Sequence, residues 1–147
     1  MTKILSTSKI IQTLKQELPG LEISGNESWV TVNAKQINKV SRILKNPDGL
    51  DFSYLNAITA VDYIEYFQII YHLTSMRNNY SCVIKVRCDG RTNLELPSVI
   101  DVWKGADLQE REIWDLMGIK FSGHPNLKRI LLWEGFDGHP LRKDYLG

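Results

Sequence analysis

Beyond Ile119 the chain carries ten large apolar residues that follow no period: Phe121, Leu127, Ile130, Leu131, Leu132, Trp133, Phe136, Leu141, Tyr145 and Leu146. Neither a helical stripe nor a strand alternation persists over any useful length. Gly123-His124-Pro125 recurs as Gly138-His139-Pro140, and each copy is followed by adjacent basic residues, Lys128-Arg129 and Arg142-Lys143. Glycine opens backbone angles closed to other residues, and proline keeps the preceding histidine out of a helix. The spacing therefore predicts an extended, irregular arm. Such an arm cannot bury ten large groups on itself, and exposed apolar surface of that extent marks a partner. The competing expectation is an arm folded back on its own sheet.

The preceding residues read as a conventional domain. Ile10, Ile11, Leu14 and Leu18 form one helical stripe ended by Pro19-Gly20, and Ile37, Val40, Ile43 and Leu44 form a second ended by Asn46-Pro47-Asp48-Gly49. Leu21 to Ser24 and Trp29 to Val32 are short strand candidates around a Gly25-Asn26 turn. Leu55 to Val61, Tyr66 to Leu73 and Cys82 to Val86 read as longer strands, and Ser98 to Trp103 as a short one after Pro97. Strands and helices mix without strict alternation, so the expected class is α+β, a small mixed sheet backed by helices. The natural division is an α/β domain over 1–106, then a signature helix and partner-binding arm over 107–147.

That helix is predicted from Leu108 to Met117, with Gly118 as its stop. Asp107 would cap it, with Glu110 returning a capping-box bond. Glu110, Arg111, Glu112 and Asp115 make it dense in charge. The ordinary reading of such density is an exposed face laced with ion pairs, each contributing about 0.3–0.5 kcal/mol.

Several functions are excluded. There are 18 basic and 17 acidic side chains, evenly spread, which leaves no basic footprint for nucleic acid and no polybasic membrane patch. The longest apolar run is Ile130 to Trp133, whereas a membrane span needs about 20 residues. The amino end lacks the apolar stretch of a secretory signal, which points to a cytoplasmic location. Cys82 and Cys88 sit on one face of a strand about 20 Å apart, too far to bridge or to clasp one metal. With no C-x-x-C the chain offers no iron–sulfur or zinc site of its own. His124 and His139, with Glu110, Asp137 and Asp144, have the chemistry for metal or proton work, but none of the diagnostic spacings. No phosphate-cradling loop or serine elbow is present.

The stretch from Glu110-Arg111-Glu112 through Asp115, Gly118-Ile119, Gly123-His124-Pro125 and Lys128-Arg129-Ile130-Leu131 resembles the signature of the C-subunit (thirty-kilodalton) family of respiratory complex I, the proton-pumping NADH:quinone oxidoreductase. Gly135-Phe136-Asp137-Gly138-His139-Pro140-Leu141-Arg142-Lys143-Asp144-Tyr145 matches its second block, and Ala60-Val61-Asp62-Tyr63, Tyr71-His72-Leu73 and Pro97-Ser98-Val99 fall where the family has similar phrases. The likeness covers roughly residues 55–147. Leu108 departs from it, since many members have an aromatic residue there. The phrase from Trp103 to Glu110 is also similar to the J subunit of photosynthetic complex I, which is fed by ferredoxin.

The resemblance implies a non-catalytic subunit of the peripheral arm, on the cytoplasmic side of the membrane. Its partners would be the large D subunit and the cluster-bearing B and I subunits, with the membrane arm reached only indirectly. Iron–sulfur clusters, quinone and any FMN would belong to those partners. Glu110, Arg111, Glu112, Asp115, His124, Pro125, Arg129, His139, Pro140, Leu141, Arg142, Lys143 and Asp144 would be the partner-binding residues. An equivalent subunit of a membrane-bound nickel–iron hydrogenase shares the pattern, and a free-standing binding domain is the reading from another class.

Overall fold

The structure, a computed structural model, describes residues 1–147. The chain runs β1 (Lys3–Ile4), α1 (Thr7–Glu17), β2 (Ile23–Gly25), β3 (Val30–Asn33), α2 (Ile37–Lys45), β4 (Tyr54–Asp62), β5 (Tyr66–Ser75), β6 (Tyr80–Asp89), β7 (Glu95–Pro97), α3 (Ala106–Met117) and β8 (Lys120–Ser122). This is the expected α+β class. The main sheet is mixed, in the order β2-β3-β6-β5-β4, with β1 also paired to β6. β4, β5 and β6 form an antiparallel meander, while β3 and β1 join β6 in parallel. β7 and β8 pair separately, in parallel.

Alternation along the central strands sorts the two faces. Phe67, Ile69, Tyr71 and Leu73 on β5 and Cys82, Ile84, Val86 and Cys88 on β6 are buried on one face. The helical stripes cover that face with Ile10 and Leu14 from α1 and Ile37, Val40 and Leu44 from α2. Ile113 and Met117 of α3 and Ile119 and Phe121 beyond it belong to the same continuous core. Both cysteines are free, and burial pushes their thiols up, Cys88 to about 11, which makes them inert. No helix is long and apolar enough to cross a membrane.

One expected strand is absent. Ser98 to Trp103 turns instead of extending, with the Val102 and Trp103 N–H groups both donating to the Val99 carbonyl. Side chains claim the groups that a ladder would use. Asn38 Nδ2 donates to the Ser98 carbonyl at 2.7 Å, Lys45 donates to the Val102 carbonyl, and Glu110 accepts from Val99. Trp103 Nε1 then fixes the loop by donating to the Phe52 carbonyl at 3.0 Å. Of the span beyond Ile119 expected to be irregular, Lys120–Ser122 form the short β8 against β7, and residues 123–147 carry no regular element.

Candidate functional site: a charged helix and the arm that wraps it

The expected capping box does not form. α3 starts at Ala106 after Gly105, and no side chain bonds its N-terminal amides. Glu110 points into the core instead, because it shares a stripe with Ala106, Ile113 and Met117, all buried. It is fully buried, with Oε2 accepting from Ser98 Oγ at 2.5 Å and Oε1 from the Val99 N–H at 2.8 Å. Burial raises its pKa above the usual carboxylate value, against the Ser98 and Val99 bonds, which lower it. Tyr71, whose buried hydroxyl has no partner, is likewise pushed well above its ordinary value, by burial first and then by the nearby Glu110 charge.

A group with a raised folded pKa contributes stability below its unfolded value and loses it as pH rises through the folded one. Glu110→Gln keeps an acceptor for Val99 and removes the buried ionisation, at the expense of one acceptor for Ser98. It is therefore expected to unfold within about 1 kcal/mol of the parent, with the difference moving in its favour from pH 4 to pH 8. Glu110→Ala empties the site and should cost about 2–4 kcal/mol. Urea unfolding at the two pH values measures both.

Asp115 organises the arm from the other side of the helix. Its carboxylate is fully buried. Oδ1 accepts from Arg129 at 2.8 Å, and Oδ2 accepts three consecutive backbone N–H groups, those of Ile130, Leu131 and Leu132, at 3.0, 2.7 and 3.0 Å. Burial alone would raise its pKa, but Arg129 and the three amides outweigh that and hold it at about 2. Arg129 also donates to the carbonyls of Asp115, Phe136 and Gly138. Arg111 donates to the carbonyls of Lys128 and Arg129, so α3 grips the arm at two turns. The exposed, ion-paired face expected of this helix is thus corrected: Glu110 and Asp115 are buried, and only Glu112 of the four is exposed.

The two Gly-His-Pro copies anchor the arm at both ends of α3. The buried His124 ring accepts the Asn126 N–H at Nδ1, which leaves Nε2 as the donor toward the Asp107 carbonyl at 3.1 Å. His139 Nδ1 donates to the Asp115 carbonyl at 2.8 Å, and its ring lies 5.0 Å from Trp114. Pro125 is exposed and Pro140 half-buried, and each opens a turn. The Leu141 N–H then donates to the Leu116 carbonyl at 3.0 Å.

The end of the arm closes on the sheet. Asp62, at the end of β4, receives Arg91 through both oxygens, the Ile64 N–H and the Lys143 N–H. Arg91 also bonds Asp144, which in turn receives Arg142. Arg142 donates to the carbonyls of Met117 and Arg91, and both guanidiniums lie about 5 Å over Phe67. Bonding to Arg91 holds the Asp62 carboxyl at about 2, and Asp144 is held below the usual range by Arg142 and Arg91.

The polar candidates His124, Arg129, His139, Arg142 and Asp144 therefore all have partners inside the chain. Asp62, Arg91 and Ser98 complete these contacts, and none of the three is among the binding residues expected from the sequence. No three of the histidine, cysteine and carboxylate groups converge as a metal site would require. What the arm leaves outward includes large apolar groups beside the exposed Lys128, Glu134, Asp137 and Lys143. Phe121 is buried and Leu127, Ile130, Leu132, Phe136 and Tyr145 are half-buried, but Leu131 is 62% exposed, Trp133 69%, Leu141 58% and Leu146 97%. Trp133, Phe136, Tyr145 and Leu146 line a shallow groove.

Comparison with known proteins gives a consistent picture. The family profile described as respiratory-chain NADH dehydrogenase, 30 Kd subunit, matches residues 30–147. The C subunit of NADH-quinone oxidoreductase from Moorella thermoacetica is 42% identical over 139 residues, covering 92% of each chain. Its counterpart in Paramagnetospirillum magneticum is 42% identical over 140 residues, 92% of this chain and 69% of its own. A second C subunit of the oxidoreductase in Rhizobium meliloti is 40% identical, and the chain spans only 63% of its length. Among solved structures, a chain of the membrane-bound sulfane sulfur reductase, an archaeal respiratory membrane complex, superposes with TM-score 0.72 at 26% identity, covering 95% of this chain and 85% of that one.

Proposed function

Because this chain belongs to the family of the 30 Kd subunit of respiratory-chain NADH dehydrogenase, we propose that it is a non-catalytic subunit of the peripheral arm of a proton-translocating quinone oxidoreductase, docking through its C-terminal arm on the large D subunit beside the quinone-reducing module. The cluster-bearing B and I subunits are neighbours in this reading. Iron–sulfur clusters, quinone and any FMN belong to partner subunits and none to this chain, which lies on the cytoplasmic side without entering the membrane. NADH or ferredoxin is the electron donor.

The observation that carries the reading is the division of labour in the arm. The arm's two histidines, Arg129 and Arg142 are spent inside the chain, on Asp115, Asp144 and the carbonyls of α3, while Lys128, Glu134, Asp137 and Lys143 stay exposed. Leu131, Trp133, Leu141 and Leu146 are held outward on that rigid frame. A pre-ordered backbone presenting large apolar anchors is what a permanent interface uses, since little ordering entropy remains to be lost on docking. The likeness to a chain of the sulfane sulfur reductase, an archaeal respiratory membrane complex, leaves a second reading of the same kind, the equivalent subunit of a different membrane complex such as a membrane-bound nickel–iron hydrogenase.

A mild-detergent purification of the tagged chain from its own cells, with mass spectrometry of what accompanies it, tests the proposal. D-, B- and I-type subunits are expected, and recovery of the chain alone overturns it. A flavin subunit, or nickel ligands in the large subunit, separates the two readings. Trp133→Ser is expected to lower the assembled fraction about tenfold, as loss of an interface anchor does, while leaving the unfolding of the free chain within about 0.5 kcal/mol. Arg129→Ala and Arg142→Ala are expected to weaken assembly by loosening the arm, with the redox centres of any complex that does form unchanged in spectrum.

A further inference from the structure

The turn between β4 and β5 carries a conformation that its sequence should avoid. Ile64 has φ 74°, in the left-handed region, where a β-branched residue is a true outlier. Four contacts impose it. The Ile64 N–H donates to Asp62 Oδ1 at 2.8 Å, and its carbonyl accepts from Arg91 Nη1 at 3.0 Å. The Tyr63 N–H donates to the Tyr66 carbonyl at 2.9 Å, and the two tyrosine rings stack 5.0 Å apart. Arg87 also lies over the Tyr66 ring, at 3.9 Å from its centroid. The product is a rigid tip with Ile64 62% and Tyr63 45% exposed. The core gains nothing from an isoleucine here, since its side chain points to solvent while its backbone is strained.

The tip is bonded directly to the arm. Asp62, which fixes Ile64, also receives the Lys143 N–H at 2.9 Å, and Arg91 bridges Asp62 to Asp144 at 2.8 Å. The exposed apolar surface of Leu146, Trp133 and their groove adjoins Asp144 and Tyr145. Tip and arm are thus fastened by a shared carboxylate.

We propose that the Tyr63–Ile64 tip is a second anchor of the docking surface, seated in an apolar recess of the same subunit that receives the C-terminal arm. This rests on the docking reading given above. The occupant follows from continuity: a partner large enough to cover Trp133 and Leu146 meets the tip on the same rigid frame. An exposed isoleucine kept in a strained turn is what such a recess would require.

Photo-crosslinking in the assembled complex tests it, with benzoylphenylalanine placed at Ile64, at Trp133 or at the exposed Gln16 of α1 in separate full-length variants, Gln16 setting the background. The expected result is that positions 64 and 133 both label the large subunit. Labelling from 133 with background at 64, or with a different subunit labelled from 64, overturns the second anchor and leaves the docking reading standing. Background at 133 removes both. Ile64→Asn supplies a second measurement, because asparagine adopts positive φ readily. The free chain should unfold at the same or higher denaturant, while the recovered complex falls about tenfold. Undiminished recovery overturns the proposal.

Discussion

Asp115→Ala is expected to detach the arm from α3 and to lower the unfolding free energy by about 3 kcal/mol, the low end for a buried ion pair deprived of one partner. The low end applies because Arg129 keeps the carbonyls of Asp115, Phe136 and Gly138 as acceptors. The loss falls on the Ile130, Leu131 and Leu132 amides, which would share no acceptor. Urea unfolding gives the magnitude, and trypsin cleavage after Lys128 and Arg129 reports the release. Cleavage as slow as in the parent would mean that the arm holds without the carboxylate.

Acid should do the same without mutation. Asp115 and Asp62 are held at about 2 against an ordinary 3.8. A carboxyl with a depressed folded pKa contributes stability above its unfolded value and loses it as pH falls toward the folded one. Stability is therefore expected to be flat with respect to these two groups above about pH 5 and to fall between 3.8 and 2, with Trp133 emission following the arm. In Asp115→Ala the slope over that window should be shallower by about a third, because Asp144, also held below its usual range, loses its contribution there together with Asp62.

Gly118→Ala carries the second large effect. Gly118 ends α3 at φ 73°, where alanine is strained, and an added Cβ would lie 2.6 Å from Cδ2 of His139. Real carbon contacts do not come so close, so the imidazole must leave the Asp115 carbonyl and the face of Trp114. The expected loss is about 2–4 kcal/mol, of which about 1 belongs to the backbone. A double-mutant cycle separates the two: in a His139→Ala background Gly118→Ala should cost only the backbone part. Equal costs in both backgrounds would show that the ring and the glycine are not in conflict.

How much of this was legible in the residues differs by element. The alternation of Phe67, Ile69, Tyr71 and Leu73 and the stripes of α1 and α2 are periodic, and their strands and helices lie where those periods place them. Ser98 to Trp103 has the composition of a strand, but side chains from residues 38, 45 and 110 take its backbone groups, which no local pattern records. Glu110 did carry a signal. It stands at helical spacing with Ala106, Ile113 and Met117, so a carboxylate lay on the apolar stripe, and that position outweighs any count of charges. Arg91 had none, because its partners stand 29 and 53 residues away. The irregular arm was evident from its lack of period. That its histidines and arginines bond within the chain depends on distances no spacing encodes.

The closure of Lys143 on Asp62 spans 81 residues, so the residues that fasten the arm are made well after the sheet they grip. A ribosome adds about 5–20 residues per second, so the sheet, its helices and α3 exist for on the order of a second or more before the arm is complete. During that interval Asp115 and Asp62 have no amides from the arm to grip, and Trp133 has no frame to stand on. The proposed docking surface is therefore created only once Lys143 and Asp144 have been made, and a chain that stops short of them presents a sheet with no arm fastened to it. Order of translation becomes a checkpoint on assembly, enforced by where in the chain the fastening residues lie.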